Sequence, residues 1–261
     1  MLDLSSSSRT IVATAFATFS LAGLANAAII GDALVIRAES GTNVDTFIVP
    51  QASLAEGPPG VFVFSGVPLL DPGDGSNDTG TVFANLNLTF RPQTVGPNNT
   101  VGLNYSLTTG PGTTVFTFST GQYVFGGSPA QSGSGSASVN VINANADAGV
   151  TYAGLQGGGG FLMQTDGGFG AAPTYTPAGL LFDVFGPAGL TNPTNANGLD
   201  FAFPTFLGGP RTSMSTQWRF SLTGGDQVAV VSTFNTNSVI PAPGAAALLA
   251  FGGMVLSRRR R

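Results

Sequence analysis

The side chains best suited to chemistry in this chain are carboxylates, and the densest group is Asp71, Asp74, Ser76, Asn77 and Asp78 in a glycine-rich stretch. Oxygen ligands at alternate positions, here Asp74, Ser76 and Asp78 with Asp71 just upstream, let a turning backbone converge on one hard cation. The spacing allows a calcium site on Asp71, Asp74, Ser76 and Asp78 as the alternative to a plain solvated turn. It departs from an EF-hand, because Thr79 stands where that loop needs glycine and Asn85 where it needs a bidentate Glu. A solvated turn is the favoured reading of the stretch.

The remaining acids are scattered singly, as at Asp147, Asp166, Asp183, Asp200 and Asp226, mostly beside glycine or other turn formers. A glycosidase needs two carboxylates about 5 to 10 Å apart in a cleft, usually with aromatic platforms for the sugar. Trp218 is the one tryptophan, and its alternation with Met214 and Phe220 predicts a core residue rather than a platform. The absences are as informative. The chain has no His and no Cys, and all nine basic residues are Arg, so Lys is missing too. Histidine-based triads, thiolate nucleophiles, zinc knuckles, Schiff bases and phosphate-loop lysines are thereby excluded, and no disulfide can staple the fold. No catalytic residue and no cofactor other than calcium is expected.

The elements that would carry these residues read as strands. In 81–90 the residues Val82, Ala84, Leu86, Leu88 and Phe90 share one face, with Phe83 the exception. The same period of two recurs at Val101, Leu103, Tyr105 and Leu107, and at Met214, Thr216, Trp218, Phe220 and Leu222. Alternation of this kind belongs to antiparallel sheets with one wet face. Further strands are expected at 33–38, 44–49, 61–64, 113–119, 137–143, 180–185, 199–203 and 227–234, giving about eleven in all. Gly/Pro/Asn/Asp turns punctuate them at 57–60, 71–75, 96–99, 110–112 and 224–226. The Gly-rich stretches 126–136 and 154–173 read as linkers or surface loops. An all-β fold follows, an antiparallel β-sandwich or jelly-roll-like domain over residues 28–238, taken as one domain rather than two. A β-solenoid would need a fixed-period repeat, and none is found.

Both ends have a different character. Arg9, an apolar run from Ile11 to Leu24 and the small-x-small triplet Ala25-Asn26-Ala27 have the order of a secretory signal peptide, with cleavage after Ala27. Residues 239–261 contain Pro241-Ala242-Pro243, an apolar run from Ala245 to Leu256, and Arg258, Arg259, Arg260 and Arg261 at the terminus. From Pro243 to Leu256 a helix would be about 21 Å long at about 1.5 Å per residue, short against a hydrocarbon core of roughly 30 Å. The arginines would stay on the cytoplasmic side with everything upstream exported.

At these residues the chain resembles the PEP-CTERM sorting signal, a Pro-Glu-Pro-like motif followed by a transmembrane segment and an arginine cluster. Ala242 stands where the commonest form has Glu, and the run Pro-Ala-Pro-Gly-Ala-Ala-Ala-Leu-Leu is similar to a variant of that tag. The resemblance implies handling by an exosortase, a membrane-embedded transpeptidase-like enzyme, in a bacterium that makes extracellular polysaccharide. It covers only the last 22 or so residues and implies nothing about the domain upstream.

Between the two ends, four arginines face twelve acids, a net charge of -8 against -4 for the whole chain. Such a field disfavours nucleic acid and anionic lipid. The expectation is an exported structural or adhesive protein, not an enzyme. It would meet the secretion machinery and an exosortase-like enzyme, be held briefly in the membrane by its C-terminus, and end on the cell surface or in the extracellular matrix, where polysaccharide is a further partner. The alternative is a carbohydrate-binding module or a weak carboxylate-dependent glycoside hydrolase acting on matrix polysaccharide.

Overall fold

A computed structural model gives the architecture. It describes residues 27–68, 70, 79–92, 98–125, 130–145, 150–156, 160–166, 190–191 and 205–237. Fourteen strands appear in chain order: β1 (Ala28–Ser40), β2 (Asn43–Val49), β3 (Ala55–Glu56), β4 (Phe62–Gly66), β5 (Val82–Arg91), β6 (Asn99–Thr108) and β7 (Thr114–Val124), then β8 (Ala130–Ile142), β9 (Thr151–Gly154), β10 (Phe161–Thr165), β11 (Leu190–Thr191), β12 (Thr205–Arg211), β13 (Ser213–Leu222) and β14 (Gln227–Asn237). One 3-10 turn, Gln51–Ser53, is the helical exception among the described residues.

These strands form two seven-stranded antiparallel sheets. One has the order β11-β9-β13-β7-β1-β2, with β10 also paired to β13; the other has the order β12-β8-β14-β6-β5-β4-β3. The chain crosses from sheet to sheet after β2, β6, β7, β8, β11, β12 and β13, so neighbours in space are mostly distant in sequence. The all-β, antiparallel expectation holds. Nine of the eleven expected strands coincide with observed ones, while 180–185 and 199–203 lie outside the described residues.

The sheets meet face to face through their apolar registers. Tyr105 of β6 stacks on Phe118 of β7 with ring centroids 4.1 Å apart, and Phe90 of β5 lies 5.5 Å from Tyr123 of β7. Phe220 links Phe116, Phe118 and Tyr152 into one aromatic array. Trp218 is fully buried against Phe161, and its indole N–H donates across the gap to Ser232 Oγ at 2.9 Å. That bond gives the buried indole its needed acceptor and joins β13 to β14, a net gain of about 1 kcal/mol. The core role expected for Trp218 is therefore observed.

Two local readings need correction. Strand β5 does not keep a strict period of two: its pairing with β6 shifts register between Phe83 and Asn85. The bulge turns Phe83 into the core and leaves Val82 66% exposed, so the apparent exception is the buried residue. The Gly/Ser-rich 126–136 stretch is not a linker from Ala130 onward, because it forms the first half of β8. Its small residues serve packing: a Cβ on Gly135 would lie 2.0 Å from Met163 Sδ of β10 in the opposite sheet. Likewise the 154–173 stretch contains the last residue of β9 and the whole of β10.

Candidate functional site

One end of the sandwich gathers the polar residues with most internal structure. The segments that meet there are the β1–β2 turn, Thr79-Gly80 leading into β5, the β6–β7 loop, Asn145 beyond β8, and the β13–β14 turn. Glycine permits this convergence. Gly225, at a φ of 75°, donates its N–H to Gly110 O at 2.7 Å. A Cβ on Gly110 would fall 2.1 Å from Thr79 O, and one on Gly224 would fall 2.2 Å from Pro111 O. Both contacts are with backbone, which cannot rotate away.

Two buried carboxylates are built into this end. Asp45 is carried by β2 with its side chain turned inward and only 4% of the residue exposed. Its Oδ2 accepts the Thr79 backbone N–H at 2.9 Å and the Thr79 hydroxyl at 2.5 Å. Asp226 is fully buried and accepts the Thr223 hydroxyl through Oδ2, while its Oδ1 meets no donor among the described residues. Thr109 clasps the same turn, donating its hydroxyl to Thr223 O at 2.7 Å and accepting the Asp226 N–H at 3.1 Å. Each carboxylate thus acts as an acceptor that fixes a turn.

A third carboxylate, Asp166, does similar work at the start of β13. It adopts a φ of 52°, its Oδ1 accepts the Thr212 and Ser213 N–H groups at 2.7 and 3.2 Å, and its Oδ2 meets Arg211 at 3.3 Å. Asp32 and Glu56 are exposed, and Glu39 pairs with Arg37 at 2.6 Å. No group of three or more acids gathers among the described residues, and no aromatic side chain is among their large exposed apolar residues.

The four expected calcium ligands, Asp71, Asp74, Ser76 and Asp78, lie outside the described residues, as do Asp147, Asp183 and Asp200. What is described is their mounting. Leu70 on one side is buried at 5% exposure, and Thr79 on the other is held by Asp45. The sorting residues Pro241, Ala242, Pro243 and Arg258 to Arg261 also lie outside, and so does Ala25 of the cleavage triplet. Ala27 is described: it is buried at 8% exposure immediately before β1, whose first residue, Ala28, pairs with Val124. No helix among the described residues is long and apolar enough to cross a membrane.

Sequence reasoning missed Asp45, Thr79, Thr109 and Thr223 as a working unit. A signal existed for the first: in Asn43–Val49 the inward register runs Asp45, Phe47, Val49, so an acid occupies a core position and must find donors. Comparison with known proteins adds no name, since no family model, no curated protein and no solved structure matches this chain.

Proposed function

We propose that this chain is an exported structural or adhesive protein of the cell surface or extracellular matrix, processed through its C-terminal tag by an exosortase-type enzyme. The observation that carries the reading is the order Pro241-Ala242-Pro243, apolar run, Arg258 to Arg261, following the last described strand in the sequence. The described strands run from Ala28 to Asn237, between the two tag segments in the sequence. The repeated crossing between sheets supports a jelly-roll-like assignment for the domain. The described carboxylates support a scaffolding role, because buried Asp45 and Asp226 and partly buried Asp166 each accept hydrogen bonds from turn or loop residues. Secretion machinery, the processing enzyme and matrix polysaccharide are the partners of this reading.

In this scheme Ala245 to Leu256 stalls the chain in the membrane and presents Pro241 to Pro243 near the outer boundary, where a membrane-embedded enzyme reaches it. A span this short suits a temporary stop. Arginine spacing supplies the test. Trypsin releases Thr212 to Arg219 from every form of the protein, but Phe220 to Arg258 only from the unprocessed precursor. Mass spectrometry of washed surface material should find the first peptide without the second. Recovery of the longer peptide there would sink the sorting proposal.

A further inference from the structure

We infer that β2 is a self-association edge, at which two copies of this chain pair antiparallel about a twofold axis through Thr46. Among the described residues β2 ends its sheet, paired with β1 on one side. From Val44 to Val49 its backbone takes part in no hydrogen bond beyond that ladder among the described residues. A row of open N–H and C=O groups is a template for another strand.

The other terminal strands of the sheets, and β10, are guarded. Strands β3 and β11 are two residues long, β12 contains Pro210 and Arg211, and β10 is buried at four of its five residues. Strand β2 has none of these devices. It is seven residues long without proline, and it exposes Val44 at 42% and Ile48 at 48%.

The symmetry of β2 selects a second copy as the occupant, and charge does not oppose it at this edge. Two bodies of net charge -8 repel over most of their surface, yet Asp45, the sole ionisable residue of β2, is turned inward and taken by Thr79. Two β2 edges therefore meet without opposed like charges. Their outward residues, Val44, Thr46 and Ile48, form a pattern symmetric in character about Thr46. A twofold there sets Val44 opposite Ile48 of the second copy, Thr46 opposite its equivalent, and Ile48 opposite Val44, so the apolar pairs cover each other. Such a contact is isologous and closes at two copies. One strand pair is a small interface, in the weak class below about 1,200 Å², so the dimer forms where the protein is concentrated. The inference rests on the sheet edge and stands apart from the export reading.

A chain without cysteine makes the test direct, because one introduced thiol can bridge only between copies. Full-length protein in detergent, carrying Thr46→Cys, should oxidise to a disulfide-linked dimer, since directly opposed Cβ atoms lie about 4.5 to 5.5 Å apart. Asn104→Cys, exposed on the outer face of the other sheet, should remain at background. Adding Ile48→Lys to Thr46→Cys should cut the dimer yield about tenfold with the melting temperature unchanged. The inference is overturned if Thr46→Cys cross-links no faster than Asn104→Cys, or if Ile48→Lys leaves the yield intact at an unchanged melting temperature. Should Ile48→Lys lower the melting temperature, Val44→Lys replaces it with the same two outcomes.

Discussion

Glycine 110 and aspartate 45 govern the same end of the sandwich by opposite means, one by having no side chain and the other by burying a charged one. Gly110→Ala places a methyl 2.1 Å from Thr79 O, a backbone atom of a residue that Asp45 holds in place. The expected loss is about 3 kcal/mol, at the upper end for overpacking, because no rotamer change relieves it. Urea unfolding checks this, and a loss under about 0.5 kcal/mol would mean that the loop simply moves. Asp45→Ala acts differently, since it leaves the buried Thr79 N–H without its acceptor. A loss of about 2 kcal/mol is expected, with Asp45→Asn recovering part of it through the amide oxygen. If the two variants are equally stable, the bond to Thr79 contributes nothing.

At the level of the element, β5 offers the clearest contrast between pattern and packing. The bulge exposes Val82 and buries Phe83, so Val82→Ser should change stability by less than about 0.5 kcal/mol, whereas Phe83→Ala should cost about 3 to 5 kcal/mol. Thermal melts of the two variants decide the point, and the reverse order would restore the strict alternation. Strands such as β6 and β13 were legible because large apolar residues alternate with small or polar ones along most of their length. The first half of β8 was not, because Gly133 and Gly135 belong to a stretch that looks like a linker until Met163 is seen packed against Gly135. The composition that signals flexibility in one dimension signals close approach in three. Of the candidate site, the acidic loop was visible in sequence, but its anchors were not. Asp45 is 34 positions from Thr79 and Thr109 is 117 from Asp226, separations that no local period reports.

For the whole molecule, the absence of disulfides leaves stability to the shared core, and the core carries its own alkaline limit. Burial pushes the Tyr105 phenol well above its ordinary range, with the nearby Tyr152 phenol adding to the effect, and burial also raises Tyr123. An unfolded tyrosine ionises near pH 10 while the buried one stays neutral. Stability is therefore intact below about pH 10 and declines above it, by about 1.4 kcal/mol per pH unit for Tyr105 alone. Circular dichroism against pH should show cooperative loss of sheet together with tyrosinate absorbance. Tyrosinate appearing fully before the sheet is lost would contradict the burial of these phenols. A last consequence lies in the order of strands. The final two, β13 and β14, are interior members of their sheets, flanked on both sides by strands made earlier. A chain emerging N-terminus first thus holds its earlier strands without their central partners until residues 213–237 arrive. Along the proposed export route, premature folding is blocked by topology itself, and the chain stays threadable until its end is through. The apolar stop follows within ten residues of Asn237, so the pause would begin just as the sandwich first becomes able to close. Truncation after Thr212 should accordingly leave a product digested as fast as an unfolded chain, and a protease-resistant fragment from it would show that the early strands can close without the late ones.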